Sequence, residues 1–186
     1  MTYRSAHHAL ICLFDDRGRP ALSPWPRKRD GGYSDDDTAP PAGTLSGMEE
    51  IAGEAAMVWK HLSRLGDREA AALILRTCPP HLKRDGRMDP SRPHPIYAGA
   101  MRLMLRESAD AVSGLSHPRA RQAAIRAATG SKINIGIIAD RCDVHRRTVT
   151  RLIAAMRQWI LPIEDRAWCE IEDRLQVAGL IERSGD

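Results

Sequence analysis

The sequence predicts a mainly α-helical protein, a multi-helix domain with an irregular N-terminal segment. The chain of 186 residues is 42% hydrophobic but holds only one Phe, three Tyr and four Trp, so aliphatic residues and Met must build its core. Such a composition suits helices better than a β-sandwich. Apolar residues also recur at helical spacing in several segments beyond residue 46, whereas residues 15–47 are dense in Pro, Gly and charges.

The first of three predicted segments, residues 1–45, is expected to be irregular. Residues 9–14, ALICLF, are apolar without a clear period, which leaves a short strand and a short helix both open for residues 1–14. Pro and Gly break regular structure in residues 15–47. The apolar stretch is too short and too rich in His for a signal peptide, and no run reaches membrane-span length. We therefore expect a cytoplasmic protein with no membrane partner.

The second predicted segment, residues 46–115, is a helical core. Ser46 and Glu49 form an S-x-x-E capping box at the start of its first helix. A second helix follows Gly66-Asp67 and ends before Pro79-Pro80, because the residue that precedes a proline disfavours helical geometry.

Residues 79–95 are predicted as a basic, Pro-rich loop, and a loop of this length is often functional or mobile. A helix from Ile96 to Val112 follows it. The third predicted segment, residues 116–186, begins with a helix that Pro118 opens and Gly130 ends.

Residues 135–153, IGIIADRCDVHRRTVTRLI, contain two helical patterns separated by a short break. Ala139 is small enough to let two helices approach closely, and Val144 and Val149 are placed to fill the wedge between them. This pattern predicts a helix-turn-helix in the C-terminal region.

The last predicted helix begins at Pro162, because we expect that proline to stop the preceding helix at Ile160. Gly179 is a natural C-terminal cap for it. One face of this helix is strongly acidic. Such a face is unsuited to DNA and is a candidate for protein contact, although a solvated face is an equally good interpretation.

The second helix of the helix-turn-helix carries its polar chemistry on one face. Arg146, Arg147, Thr150 and Arg151 lie at i, i+1, i+4 and i+5, and His145 precedes them at the helix start. A helix fits the major groove, where Arg pairs with guanine and Thr meets a thymine methyl group or a phosphate. The pattern therefore predicts double-stranded DNA as the partner. The alternative is an ordinary amphipathic helix with a solvated basic face.

Further cations are expected to hold the DNA backbone. Lys132 and Asn134 precede the first helix of the motif and are assigned to phosphates. The secondary phosphate contacts are Arg119, Arg121 and Arg126. From residue 116 to 158 there are nine cations and two carboxylates, so that stretch is +7, whereas residues 163–186 are −4. The segregation matters more than the total of +4, because phosphate binding requires clustered cations.

No motif for nucleotide binding, zinc binding or nucleophilic hydrolysis appears in the sequence. The four cysteines are widely scattered without a C-x-x-C pair, so reduced and mostly buried thiols are expected. The carboxylate runs at 15–16 and 35–37 lack a Lys or His at a suitable offset. We therefore predict no catalytic residues, no metal and no cofactor, and an enzyme acting on DNA is the least favoured interpretation.

The stretch IADRCDVHRRTVTRL resembles the helix-turn-helix of site-specific recombinases and of the promoter-reading region of sigma factors. The matching positions are Ala139, Val144, Thr148, Val149 and Arg151. Those families often have Gly at the turn position that Asp143 occupies here. Asp tolerates a left-handed backbone, so this departure is compatible with the motif.

A wider resemblance, over residues 48–160, is to the phage antitermination Q family. The stretch WKHLSRLGDREAAALILR precedes a C-terminal helix-turn-helix, as in those small, basic, helical proteins. The zinc-type cysteines of some members are absent here. The resemblance implies DNA binding near a late promoter and association with a paused RNA polymerase.

These observations together predict a sequence-specific DNA-binding transcription regulator, and the wider resemblance extends this to a phage late-gene antiterminator. One helix-turn-helix reads only a few base pairs, so a homodimer or an RNA polymerase partner is expected to add specificity. The alternative is an interaction factor that targets the transcription machinery and contacts DNA secondarily. The acidic last helix and the basic residues 79–95 motivate that alternative.

Overall fold

The computed structural model describes residues 3–14, 45–84, 87–114 and 117–181, with only the backbone described at 45–52 and 84. Within these ranges the chain is mainly helical, as the sequence predicts. The helices are α1 (Ala6–Phe14), α2 (Leu45–Leu62), α3 (Asp67–Thr77), α4 (Pro95–Ala111), α5 (Pro118–Ala128), α6 (Ile135–Cys142) and α7 (Arg146–Val177). The strands are β1 (His81–Arg84) and β2 (Arg87–Pro93).

The longest helix, α7, lies against most of the others. It packs on α1, α2, α3, α5 and α6. Its buried side chains recur every three or four residues from Val149 to Leu175, which gives one apolar stripe along the helix. A single hydrophobic cluster includes side chains from every described helix. The three segments predicted from the sequence therefore share one core.

Pro162 lies inside α7, which corrects the prediction that one helix stops at Ile160 and another begins at Pro162. The helix is continuous from Arg146 to Val177. A proline in a helix interior removes one backbone hydrogen bond and costs about 3 kcal/mol. Ile160 and Ile163 are both buried next to Pro162. Because the core holds the helix on both sides of the proline, the local penalty does not end it.

The beginning of the chain is helical, which corrects the predicted irregular segment 1–45 at residues 6–14. The buried residues of α1 recur at helical spacing: Ala6, Ala9, Leu10, Leu13 and Phe14. The apolar Ile11 and Cys12 between them obscure that period in the sequence. The Tyr3 amide donates to the Leu180 carbonyl at 2.8 Å, so α1 also lies close to the end of α7. The predicted loop at residues 15–47 lies outside the described residues as far as residue 44, and its last three residues already belong to α2, which begins at Leu45. The side chains of the predicted capping box also lie outside the described part.

Residues 79–95 contain an antiparallel hairpin, which corrects the prediction of a loop. In the register of β1 and β2, Lys83 lies opposite Met88. The sequence signal for this hairpin is Asp85-Gly86, a strong two-residue turn pair. The surrounding prolines argue against a strand in the middle of a sheet, but both strands of a two-stranded hairpin are edges, where Pro90 is tolerated.

The C-terminal end of α7 has the glycine cap that the sequence predicts. Gly179 adopts a left-handed backbone with φ 68°. Its amide donates to the Gln176 carbonyl at 3.0 Å, and the Leu180 amide donates to the Leu175 carbonyl at 2.9 Å. This pair of bonds is the Schellman arrangement, and it turns the buried Leu180 and Ile181 back toward the core.

Candidate nucleic-acid interface

A three-residue turn joins α6 to α7. Asp143 adopts a left-handed backbone with φ 51° and ψ 50°, which Asp tolerates better than most residues because its side chain is short and polar. The Val144 amide then donates to the Ala139 carbonyl at 3.0 Å and closes the end of α6. The chain reverses direction sharply, and His145 is the N-cap of α7.

Small and β-branched side chains pack α6 against α7. Ala139 and Val149 are buried, and Val144 is partly buried against the core. Cys142, on the last turn of α6, is also buried. The apolar positions that the sequence assigns to the contact between these two helices are therefore covered. In the first two turns of α7, Val149 and Leu152 are buried and the other residues are exposed.

The exposed side of α7 carries the predicted cations. We call Arg146, Arg147, Thr150 and Arg151 the basic face, and all four are exposed. None of its three arginines forms an ion pair with a carboxylate in the described part of the chain. Three exposed arginine charges that form no ion pair with a described carboxylate attract anions.

Several arginines in other parts of the molecule, unlike those of the basic face, form ion pairs with carboxylates. Arg76 Nε lies 3.3 Å from Glu164 Oε1, and Arg174 Nη2 lies 2.6 Å from Glu170 Oε1. Arg166 also pairs, with Glu69 at 3.4 Å. The C-terminal half of α7 therefore neutralises several cations internally. Glu164 is itself buried against α3, so part of the acidic face predicted for protein contact serves the fold instead.

Two residues of the predicted site make hydrogen bonds within α7. His145 Nδ1 accepts from the Arg147 amide at 3.2 Å and caps the helix. The Thr150 hydroxyl donates to the Arg146 carbonyl at 3.1 Å. Both residues are predicted to contact DNA, and their spacing in the sequence does not reveal these local roles. Both side chains are exposed, so a hydroxyl rotation is enough to redirect the Thr150 bond.

The first turn of α6 lies next to the side chain of Arg146. A methyl group placed on Gly136 would lie 3.2 Å from Arg146 Nη2 and 3.3 Å from Asn134 Oδ1. Asn134 Oδ1 accepts from the Ile137 amide at 3.2 Å and is the N-cap of α6. Lys132 is exposed two residues earlier. The positive end of α6 and two cations thus occupy neighbouring positions, an arrangement that favours a phosphate.

Arg121 is not available to DNA, and its predicted phosphate contact is wrong. Its side chain is 7% exposed. Its guanidinium donates to the Ser108 carbonyl at 2.7 Å and to the Val112 carbonyl at 2.8 Å. Both carbonyls belong to the end of α4, where the helix dipole favours a cation, and the Ser108 carbonyl also accepts from the Val112 amide at 3.0 Å. Arg121 therefore holds α5 to α4.

The other two secondary residues lie along a groove between α5 and α6. This groove, of ≈ 270 Å³, is lined by Arg119, Arg126, Ile138 and Arg141 among others. Arg119 is exposed and Arg126 is partly buried. Arg141 was not predicted as a site residue. Its place in the groove could have been predicted from the sequence, because this cation lies on the last turn of α6, on the side away from the buried Ala139.

The described part of the chain also bears on three other possibilities: metal sites, reactive cysteines and membrane-spanning helices. No group of three or more His, Cys, Asp or Glu side chains there is arranged to hold a metal ion. None of the four cysteines is in a disulfide, and burial raises the pKa of Cys78 to about 12, which keeps that thiol protonated and unreactive. No helix in the described ranges is both long and apolar enough to cross a membrane.

Comparisons with protein-family models, with curated proteins and with solved structures gave no match to this chain. The functional proposal therefore depends on the geometry and charge of the residues described above.

Proposed function

We propose that the protein is a sequence-specific, double-stranded DNA-binding transcription regulator in which α6 and α7 form a helix-turn-helix. Support comes chiefly from the basic face: three exposed arginines without described carboxylate partners lie on a helix whose opposite face is buried in the core. A rigid helix with one free, cationic side is the element that the major groove accepts.

In this proposal the first two turns of α7 read bases. Arg147 and Arg151 reach guanine O6 and N7, which accept two hydrogen bonds from one guanidinium. Thr150 contacts a thymine methyl group or a phosphate. Each good base contact discriminates by about 1–3 kcal/mol. His145 acts through the helix cap, because its Nδ1 already accepts the Arg147 amide.

The phosphate contacts come from the start of α6. Arg146 and Asn134 lie at the first turn of that helix, whose dipole also favours an anion, and the exposed Lys132 precedes this turn in the chain. Arg119 and Arg126 extend the cationic surface along α5. These contacts set the position of α7 on the duplex and make binding sensitive to salt.

A second candidate function is an interaction factor for the transcription machinery, which DNA contact assists. Asp165 and Asp173 favour it, because both are exposed on the far half of α7 while the neighbouring Glu164 and Glu170 are paired internally. An antiterminator that binds RNA polymerase would combine both functions. Retention of RNA polymerase on the immobilised protein after nuclease digestion of DNA tests this candidate.

The DNA proposal is tested by fluorescence anisotropy with a labelled random-sequence duplex over a series of salt concentrations. We expect log K to fall linearly with log salt, by about 0.9 per phosphate contact. A variant with Arg146, Arg147 and Arg151 all changed to Ala should show a shallower slope and weaker binding. Arg157→Ala is the matched control, since Arg157 is exposed on the same helix two turns further along. Equal losses in both proteins would contradict the assignment of the interface.

A further inference from the structure

A second cavity lies where the hairpin meets α4 and α5. It has a volume of ≈ 310 Å³ and is lined by polar residues from all three elements: His81, Tyr97, Arg102, Gln122 and Arg126. The remaining lining residues are apolar, and no carboxylate is among them. A mostly apolar cavity with a few convergent polar groups is the usual form of a small-molecule site.

Two of these polar residues have buried atoms without a hydrogen-bond partner in the described part of the chain. The atoms are His81 Nδ1 and Arg126 Nε, and the Tyr97 hydroxyl lies close enough to the Arg126 side chain to interact with it. Tyr97 is only 7% exposed. A buried polar group without a partner is costly, so these atoms in the wall of one cavity leave hydrogen-bonding capacity that a ligand can satisfy.

The charge of the wall selects an anion. Arg102 and Arg126 are cationic, the Gln122 amide group can donate, and Arg126 Nε–H lacks an acceptor. Burial has the largest effect on the pKa of Tyr97 and raises it. The positive charge of Arg126 offsets this rise only in part. The Tyr97 hydroxyl therefore stays protonated and can donate as well. Carboxylate and phosphate groups match such a set of donors.

We propose that this cavity binds a small organic anion, a carboxylate or phosphate group on a compact apolar body. The volume holds about ten non-hydrogen atoms if each occupies about the 30 Å³ that a water molecule has in the liquid. The anionic group would meet Arg126 and Tyr97, and the apolar body would lie against the prolines and aliphatic side chains of the wall.

Gln122 and Arg126 connect this site to the candidate DNA interface. Both also line the groove between α5 and α6, next to Ile138 and Arg141. An anion that draws the Arg126 side chain toward the hairpin removes a cation from that groove. We therefore expect the bound anion to weaken DNA binding, and this linkage, unlike the site itself, depends on the proposed function.

The site is tested by isothermal titration calorimetry with three probes: benzoate, phenyl phosphate and the neutral isostere benzamide. We expect at least one of the two anions to bind at least about tenfold more tightly than benzamide, since one charged hydrogen bond contributes about 1.5–3 kcal/mol. Tyr97→Phe and Arg126→Gln should each reduce that affinity severalfold. Arg119→Gln, a change on the same helix outside this cavity, should leave it unaltered.

Anions that bind no better than benzamide, or an Arg126→Gln protein that binds them as well as the wild type, would overturn the site. Tyr97→Phe removes only one oxygen, so a folded variant is expected, and circular dichroism checks this. The DNA titration is then repeated with the bound anion and with benzamide. Calorimetric binding in a protein that fails to bind DNA would contradict the proposed function and leave the site standing.

Discussion

At the scale of single residues, the arginines of this protein have two kinds of environment. Arg121 and Arg76 are held by protein acceptors, the first by two carbonyls and the second by Glu164. Arg147 and Arg151 are exposed and have no described ion-pair partner. The first kind stabilises the fold and the second is available to a ligand. Their spacing in the sequence gives Arg119, Arg121 and Arg126 the same predicted role. The packing of α5 against α4 is what makes the role of Arg121 different.

Arg121→Met should destabilise the protein strongly. The change removes two hydrogen bonds from the guanidinium and leaves the Val112 carbonyl without a donor, and each hydrogen bond to a charged group contributes about 1.5–3 kcal/mol. We expect the free energy of unfolding, measured with urea, to fall by about 3 kcal/mol or more. Arg119→Met, on the exposed side of the same helix, should change it by no more than about 0.5 kcal/mol. Similar values for the two variants would show that Arg121 has no anchoring role.

The cap role of His145 separates stability from recognition. His145→Ala removes the acceptor for the Arg147 amide and should lower the free energy of unfolding by about 1 kcal/mol. His145→Ser supplies a preferred N-cap and should retain both stability and DNA affinity. Thermal unfolding and anisotropy titrations measure the two quantities. A stable His145→Ser protein with much weaker DNA binding would mean that the imidazole itself contacts DNA.

At the scale of elements, α7 joins two regions of opposite charge. Its first turns carry the basic face, and its second half carries Glu164 and Glu170, which pair with Arg76 and Arg174. A continuous helix fixes these regions relative to each other. The sequence predicts the apolar period on both sides of Pro162 correctly. It does not show that the apolar residues before and after Pro162 lie on the same side of one helix and face one core. For this reason the sequence predicts two helices where the structure has one.

Pro162→Ala should stabilise the protein. Ala restores an amide donor for the Gln158 carbonyl and removes the clash of the proline ring, an effect of up to about 3 kcal/mol. Pro162 is exposed, so the change leaves the core intact. We expect a higher Tm for Pro162→Ala in thermal unfolding, whereas Leu161→Ala, at the exposed neighbour, should alter stability little. A lower Tm for Pro162→Ala would mean that the helix depends on a bend at the proline.

The hairpin shows a different limit of prediction from sequence. The residues of β2 are nearly all exposed, so no alternation of buried apolar and exposed polar residues marks that strand. Prolines weaken the strand signal further, and only Asp85-Gly86 indicates a turn. The cavity beside the hairpin was equally hidden, because His81, Tyr97 and Arg126 come together from three elements that are distant in sequence.

At the scale of the whole molecule, one core orients a cationic surface. The composition, the helical periods and the Ala139, Val144 and Val149 pattern were enough to predict a mainly helical fold and the two packed helices at residues 135–153. The cations on α7 were also predictable, since they follow from helical spacing alone. Which cations lack partners depends on tertiary contacts, so the sequence assigned Arg121 wrongly and left Arg141 out.

The central claim, that the first turns of α7 read a DNA sequence, is tested most directly by in vitro selection from random duplex DNA. Physiological salt suppresses non-specific phosphate binding. We expect the wild type to enrich a defined sequence containing guanine, and a palindromic site would identify a dimer. Arg147→Ala should lose the preference at one position, whereas Arg157→Ala should retain the whole site. If the wild type enriches no sequence, the basic face is a general anion-binding surface and the claim is wrong.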